Sequence, residues 1–154
     1  MNTRMIEVEN LSFSYGRRKS KVLEDFSMKL DKGSVYGLLG KNGTGKSTLL
    51  YLMAGLLRPQ TGNVLYKGVD VKKRYPDTLQ DMFLVPEEFA LPNVSLKQYV
   101  KLNAPFYPNF SDELLNACLR DFDMNVDIHL GELSMGQKKK AFMCFALATN
   151  TSLL

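Results

Sequence analysis

Gly40-Lys41-Asn42-Gly43-Thr44-Gly45-Lys46-Ser47, written GKNGTGKS, is the stretch from which the rest of the chain is best read. It matches G-x-x-x-x-G-K-[ST], with Gly40, Gly45, Lys46 and Ser47 at the fixed positions. Glycines at 40, 43 and 45 let the backbone curl so that several N–H groups point into one concavity. The positive end of a following helix faces the same point. Lys46 supplies a compact charge able to reach the β and γ phosphates, and the Ser47 hydroxyl is a hard oxygen ligand suited to Mg²⁺. Together these residues describe a nucleoside triphosphate site. The loop alone fits kinases, GTPases and ATPases equally, and its plainest rival is a glycine-rich turn before an ordinary helix.

Immediately upstream, SVYGLLG (Ser34 to Gly40) is almost wholly apolar, as in a strand buried on both faces of a parallel sheet. Downstream, KSTLLYLMAGLL predicts a helix that starts near Gly45 and stops around Gly55. Further out, Ile6 to Leu30 is strand-like, and the polar insert GRRKSK (Gly16 to Lys21) forms the hairpin connection. After the turn RPQTG (Arg58 to Gly62), NVLYKGVDV gives one or two short strands, and DMFLVP (Asp81 to Pro86) another buried strand ended by proline. Between Leu96 and Phe122 the period becomes helical, with Pro105 and Pro108 separating two segments of a small helical subdomain. A last helix runs from Ser134 to about Thr149, with KKK on one side and Phe142, Phe145, Ala146 and Ala148 among its apolar positions.

The bulk numbers agree with a globular protein. With 154 residues, 45% of them hydrophobic, the chain can bury one sizeable core. A net charge of +4 permits a nucleic-acid role without suggesting one. Cys118 and Cys144 lie far apart in sequence, with neither a CxxC pair nor zinc-ligand spacing, so both are expected to be reduced thiols of a cytosolic protein. No run approaches the ~18 apolar residues of a membrane span, so any membrane role is expected to go through a partner.

A second motif narrows the class. LSMGQ (Leu133, Ser134, Met135, Gly136, Gln137) opens a helix about 90 residues after the phosphate loop. Ser134 with Gln137 is also a capping box, a common helix start, and the two readings are physically compatible because a capped N-terminus is an anion site. With FSYG (Phe13 to Gly16), AGLLRPQTG (Ala54 to Gly62) and the proline-ended FLVPE, the motifs cover nearly the whole chain in order. In these features the chain resembles the ABC-type ATPases, the energy-supplying subunits of membrane transporters.

The resemblance implies an α/β fold: a P-loop NTPase (RecA-like) core with an antiparallel β subdomain and a small helical subdomain, C-terminally incomplete. It divides the chain into a nucleotide-binding core at 1–88, a helical subdomain at 89–132, and the signature motif with its helix at 133–154. It implies ATP and Mg²⁺ as ligands, with Tyr15, Gly40, Asn42, Gly43, Thr44, Gly45, Lys46, Ser47 and Thr48 around ATP. Tyr15 would stack on adenine; its rival role is packing in a hairpin. Leu133 to Gln137 would meet the γ phosphate of ATP held by a second ATP-binding subunit, in a head-to-tail dimer. Ser47 and Glu87 would be the metal ligands, and Glu87 is the candidate for a catalytic role.

Several residues depart from the family pattern. Glu87 stands where the family has glutamine, which adds negative charge near the γ phosphate; Glu88 is an alternative, and a solvated acidic loop is the plain reading. Met135 replaces a signature glycine. The sequence stops at TNTSLL, where the family continues into a strand ending in an aspartate for Mg²⁺ and a glutamate that polarises water, followed later by a histidine. His129 precedes the signature and is expected at a surface or hinge. The expectation is a product truncated just before that strand, which binds phosphate without hydrolysing it and is marginally stable or self-associating. The intact parent would be an ATP hydrolase, cytoplasmic and peripheral on the inner face of the cell membrane, docked through its helical insert beneath a transmembrane permease, with no transmembrane segment of its own and no nucleic acid expected. The rival is a soluble ABC-type ATPase acting on ribosomes or DNA, for which the basic face Lys138 to Lys140 gives slight support.

Overall fold

The computed structural model describes residues 4–16 and 20–154, so the middle of the expected hairpin connection lies outside the described residues. The chain divides into two compact units, Met1–Leu79 and Gln80–Leu154.

The first unit is built on an antiparallel sheet of order β2-β1-β3-β4, from β1 (Arg4–Phe13), β2 (Leu23–Asp31), β3 (Thr61–Tyr66) and the two-residue β4 (Val69–Asp70). Along β1, Ile6 and Val8 are buried, Glu9 and Asn10 are both exposed, and Leu11 and Phe13 are buried again. Two consecutive exposed residues mean that the period of two has slipped by one, and the register between β1 and β2 shifts at that point. Asn10 takes a φ of 45° there. Its N–H donates to Ser27 Oγ at 2.9 Å, its Nδ2 donates to Asp25 Oδ1 at 2.8 Å, and the Asp25 N–H donates to Ser12 Oγ. The bulge therefore returns Leu11 and Phe13 to the core with the N–H groups of Asn10 and Asp25 satisfied.

Helix α1 (Lys46–Met53) lies against β3 and buries Thr48, Leu49, Leu52 and Met53, the i, i+1, i+4, i+5 stripe of an amphipathic helix. The short α2 (Pro76–Leu79) closes the unit. The expected buried strand Ser34–Gly40 does not form: these residues are irregular and exposed, with Val35 and Leu39 almost fully so. A strand exists through its ladder partners, and among the described residues no strand lies alongside this run. Tyr36 is tied down through its hydroxyl, which accepts the Asp31 N–H at 2.9 Å.

The second unit is mainly helical: α3 (Leu96–Asn103), α4 (Asp112–Asp121) and α5 (Met135–Ala148). Each begins at a serine cap, Ser95, Ser111 and Ser134, whose hydroxyl accepts a backbone N–H three residues on. Tyr107, between Pro105 and Pro108, lies in the break that separates the first two helices, as the prolines predict. Leu96, Leu115, Leu119, Leu130, Ala141, Cys144 and Ala148 form the core. Phe145 stands at the centre of an aromatic cluster, its ring 5.1 to 6.2 Å from those of Phe83, Tyr99, Tyr107 and Phe110. Cys118 and Cys144 are free thiols of this core. The expected strand Asp81–Pro86 is reduced to one parallel bridge between Met82 and Leu153, with the Phe83 N–H donating to the Leu153 carbonyl at 2.8 Å. His129 is half-buried, pairs in antiparallel fashion with Ser95, and has a buried Nδ1 without a hydrogen-bond partner among the described residues.

Candidate nucleotide-phosphate site

The phosphate loop and Tyr15 come together in the first unit. Gly45 is the N-cap of α1, with φ 93° and ψ 11°, a left-handed conformation that side chains disfavour. A β-carbon there would also stand 2.8 Å from Val22 Cγ1. Gly40 passes close to Thr44, whose Oγ1 donates to the Lys41 carbonyl at 2.8 Å and so stiffens the loop from within. The Lys46 ammonium folds back over the loop and donates to the carbonyls of Gly40 at 2.6 Å and Lys41 at 2.8 Å.

Among the described residues no side chain caps α1, and its first turn carries no acidic residue. The first N–H groups of the helix, the partial positive charge of its dipole and the Lys46 ammonium are thus gathered at one end with no fixed anion among them. Such an arrangement is suited to an anion bearing several oxygens. Asn42, Gly43 and Thr44 are exposed along the loop, and Ser47 is exposed in the first turn. A lone first-turn hydroxyl fits Mg²⁺ bound jointly with phosphate oxygens and water, the usual manner for this ion, rather than in an all-protein cage. No group of three His, Cys, Asp or Glu side chains that could hold a metal ion occurs among the described residues.

Thr48 is buried and faces inward, where its Oγ1 shares a hydrogen bond of 2.9 Å with the Tyr15 hydroxyl. The Tyr15 ring meets Phe13 edge-on, 5.0 Å between centroids at 85°, yet stays 54% exposed. The backbone just before it is gripped by the Gln60 side chain: the Ser14 N–H donates to Gln60 Oε1, and Gln60 Nε2 donates to the Ser14 carbonyl, both at 2.8 Å. Sequence reading missed this clamp, since its partners lie 46 positions apart.

The remaining predicted residues belong to the second unit. Ser134 and Gln137 form a complete capping box, with Ser134 Oγ accepting the Gln137 N–H at 3.3 Å and Gln137 Oε1 accepting the Ser134 N–H at 3.0 Å. Between them Met135 and Gly136 are exposed, while Leu133 packs on the helical core. Glu87 and Glu88 occupy an exposed bend. The Lys140 ammonium lies over the Phe122 ring, 5.2 Å from its centroid.

Residues 23–154 match the family model described as ABC transporter. The ABC transporter ATP-binding protein YtrB of Bacillus subtilis is 30% identical over 151 residues, which span 97% of this chain and 51% of that protein. The zinc uptake system ATP-binding protein ZurA of Listeria innocua is 31% identical over 163 residues, with 98% of this chain and 62% of that protein covered. Among solved structures, an ATP-binding subunit of an ABC transporter superposes with a TM-score of 0.84 at 27% identity, over 96% of this chain and 63% of the other. A putative ABC transporter ATP-binding protein from Pyrococcus furiosus gives 0.79 at 30% identity, over 95% and 71%. The chain thus spans about half to three fifths of the length of these two curated relatives. With a family model matching most of its length and an α/β fold shared with solved P-loop ATPase domains, the chain belongs to the ABC transporter ATP-binding family.

Proposed function

We propose that the protein binds ATP at the Gly40–Thr48 loop, with Mg²⁺ held in part by Ser47, as the ATP-binding and ATP-hydrolysing subunit that drives a membrane transporter. The observation that carries this reading is the Lys46 ammonium held over the loop by the carbonyls of Gly40 and Lys41, beside an uncapped helix N-terminus. Tyr15, more than half exposed and tied to Thr48, serves as the adenine platform of the same site. Lys46 neutralises charge on the outer phosphates, the loop N–H groups orient them, and Ser47 shares the metal. Mg²⁺, when bound, would supply Lewis-acid charge stabilisation at the phosphates, with Ser47 among its ligands.

Leu133 to Gln137 are the surface offered to nucleotide on a second ATP-binding subunit in a head-to-tail dimer, and Glu87 is the residue of this chain closest in role to the family's glutamine. The permease partner would dock on the helical segment 89–132, placing the subunit in the cytoplasm at the inner face of the membrane. No helix among the described residues is long and apolar enough to cross a membrane. Residues 1–154 by themselves are expected to bind ATP without turning it over: the carboxylates the sequence offers for a catalytic role, Glu87 and its alternative Glu88, both lie in an exposed bend.

Titration calorimetry tests the binding claim. Lys46→Ala removes a charge-assisted contact and should weaken ATP by about 10- to 100-fold, in line with the ~1.5 to 3 kcal/mol of such bonds. Unchanged affinity would sink it. For transport, the protein in its native cell should co-purify with a membrane permease; recovery in the soluble fraction alone argues for a soluble ABC-type ATPase.

A further inference from the structure

The ladder between β1 and β3 ends where Ser12 pairs with Thr61. The backbone that carries Tyr15 outward is nevertheless held for two residues more. The Gln60 N–H donates to the Ser12 carbonyl at 3.0 Å, and from there the Gln60 side chain takes over. Its Oε1 accepts the Ser14 N–H at 2.8 Å, and its Nε2 donates to the Ser14 carbonyl at 2.8 Å and to Ser14 Oγ at 3.1 Å. Along one edge a primary amide presents a donor and an acceptor in one plane, matching the N–H and C=O of a single residue on a neighbouring strand. Gln60 therefore acts as one more rung of the sheet, built from a side chain.

Tyr15 follows directly. Its ring is flanked by the edge-on ring of Phe13, and its tip shares the 2.9 Å hydrogen bond with Thr48, one residue past Ser47 in α1. The ring is thus fixed at base, flank and tip while remaining 54% exposed. Exposed tyrosines without such ties sample several rotamers, and ordering one at the moment of binding costs affinity.

We propose that Gln60 is a positioning residue for nucleotide recognition: by pairing with both backbone groups of Ser14 it presets the Tyr15 ring as a platform for the base of a purine nucleotide, at a distance from the phosphate loop fixed by Thr48. The proposal rests on the reading of Tyr15 as the base-stacking residue. Gln60 itself touches no nucleotide in this scheme. Its effect must therefore pass through Tyr15 and must depend on a base being present.

Calorimetric affinities for ATP and for inorganic tripolyphosphate, measured on the protein, on Gln60→Leu, on Tyr15→Ala and on the double variant, separate the alternatives. Gln60→Leu nearly keeps the volume and loses all three side-chain bonds to Ser14, at an exposed position where folding should survive. Gln60→Leu should weaken ATP roughly tenfold, leave tripolyphosphate within about twofold, and add nothing once Tyr15 is alanine. Gln60→Glu, which keeps the acceptor for the Ser14 N–H, should recover part of the loss. Equal weakening of both ligands by Gln60→Leu would make Gln60 a general support of the fold and overturn the proposal. So would unchanged ATP affinity in Gln60→Leu where Tyr15→Ala weakens it. If Tyr15→Ala itself leaves ATP affinity unchanged, the stacking reading fails first, and the proposal with it.

Discussion

With φ at 93° and Val22 Cγ1 only 2.8 Å from where a β-carbon would stand, position 45 accepts glycine for two independent reasons, backbone and packing. Only the first was legible in the sequence. The motif announces the turn, whereas Val22 enters from 23 positions away and carries no signal of its own. Cys144 shows the same limit. In sequence it is a lone thiol; in the structure it is fully buried, with burial first and neighbouring Cys118 second pushing its pKa up from the ordinary 9.0 to about 11. Tyr99 and Tyr107 are likewise raised by burial. The folded state therefore keeps protons that the unfolded chain releases. The stability these groups contribute is complete below pH 9 and is lost as pH rises through the folded values. Urea denaturation between pH 8 and pH 11 should show falling stability, about half of the fall or less remaining in Cys144→Ala. A flat profile would mean that these groups are open to water.

Helices were the most legible elements, because their hydrophobic period, the Ser134 cap and the prolines Pro105 and Pro108 mark them locally. Ser134 with Gln137 predicts a capping box and the structure contains one, so this pair stabilises α5 whatever else it does. Ser134→Ala should cost about 1 kcal/mol in urea denaturation, while Gln137→Ala costs less because the serine cap is kept. A loss under about 0.3 kcal/mol would indicate that α5 is held by its core residues alone. The strands β1, β2 and β3 were legible too, and the first two pair in antiparallel fashion. The Asn10 bulge was not, since the register shift depends on Ser12, Asp25 and Ser27 closing around it. The run Ser34–Gly40 failed for a deeper reason. Its apolar composition states a demand for neighbours on both sides, and composition cannot say whether the neighbours are there. Gln60 failed oppositely: it is an ordinary turn residue in sequence, and its amide pairs like backbone only once β1 and β3 have brought Ser14 beside it.

At the scale of the whole molecule, the first unit bears a consequence of that unmet demand. Val35 and Leu39 are almost fully exposed, Tyr36 and Leu38 about half so, on a stretch of backbone whose ladder positions are unpaired among the described residues. Burying one such aliphatic side chain is worth ~1.5 to 3 kcal/mol, and an unpaired extended backbone is a ready template for a second chain. Residues 1–154 should accordingly self-associate in a concentration-dependent way, through this run rather than through the basic faces, since +4 of net charge opposes association only weakly. Sedimentation velocity at rising concentration measures it. The double variant Val35→Lys, Leu39→Lys places charge on the run without touching Gly40 or the loop beyond it, and should shift the species distribution to monomer while leaving ATP affinity within about twofold. Persistent association in that variant would move the sticky surface elsewhere, the exposed Leu102 and Phe106 of the helical unit being next in line. A wild-type chain that stays monomeric at high concentration would show instead that the run is covered in solution, and that its exposed state is one of several it samples.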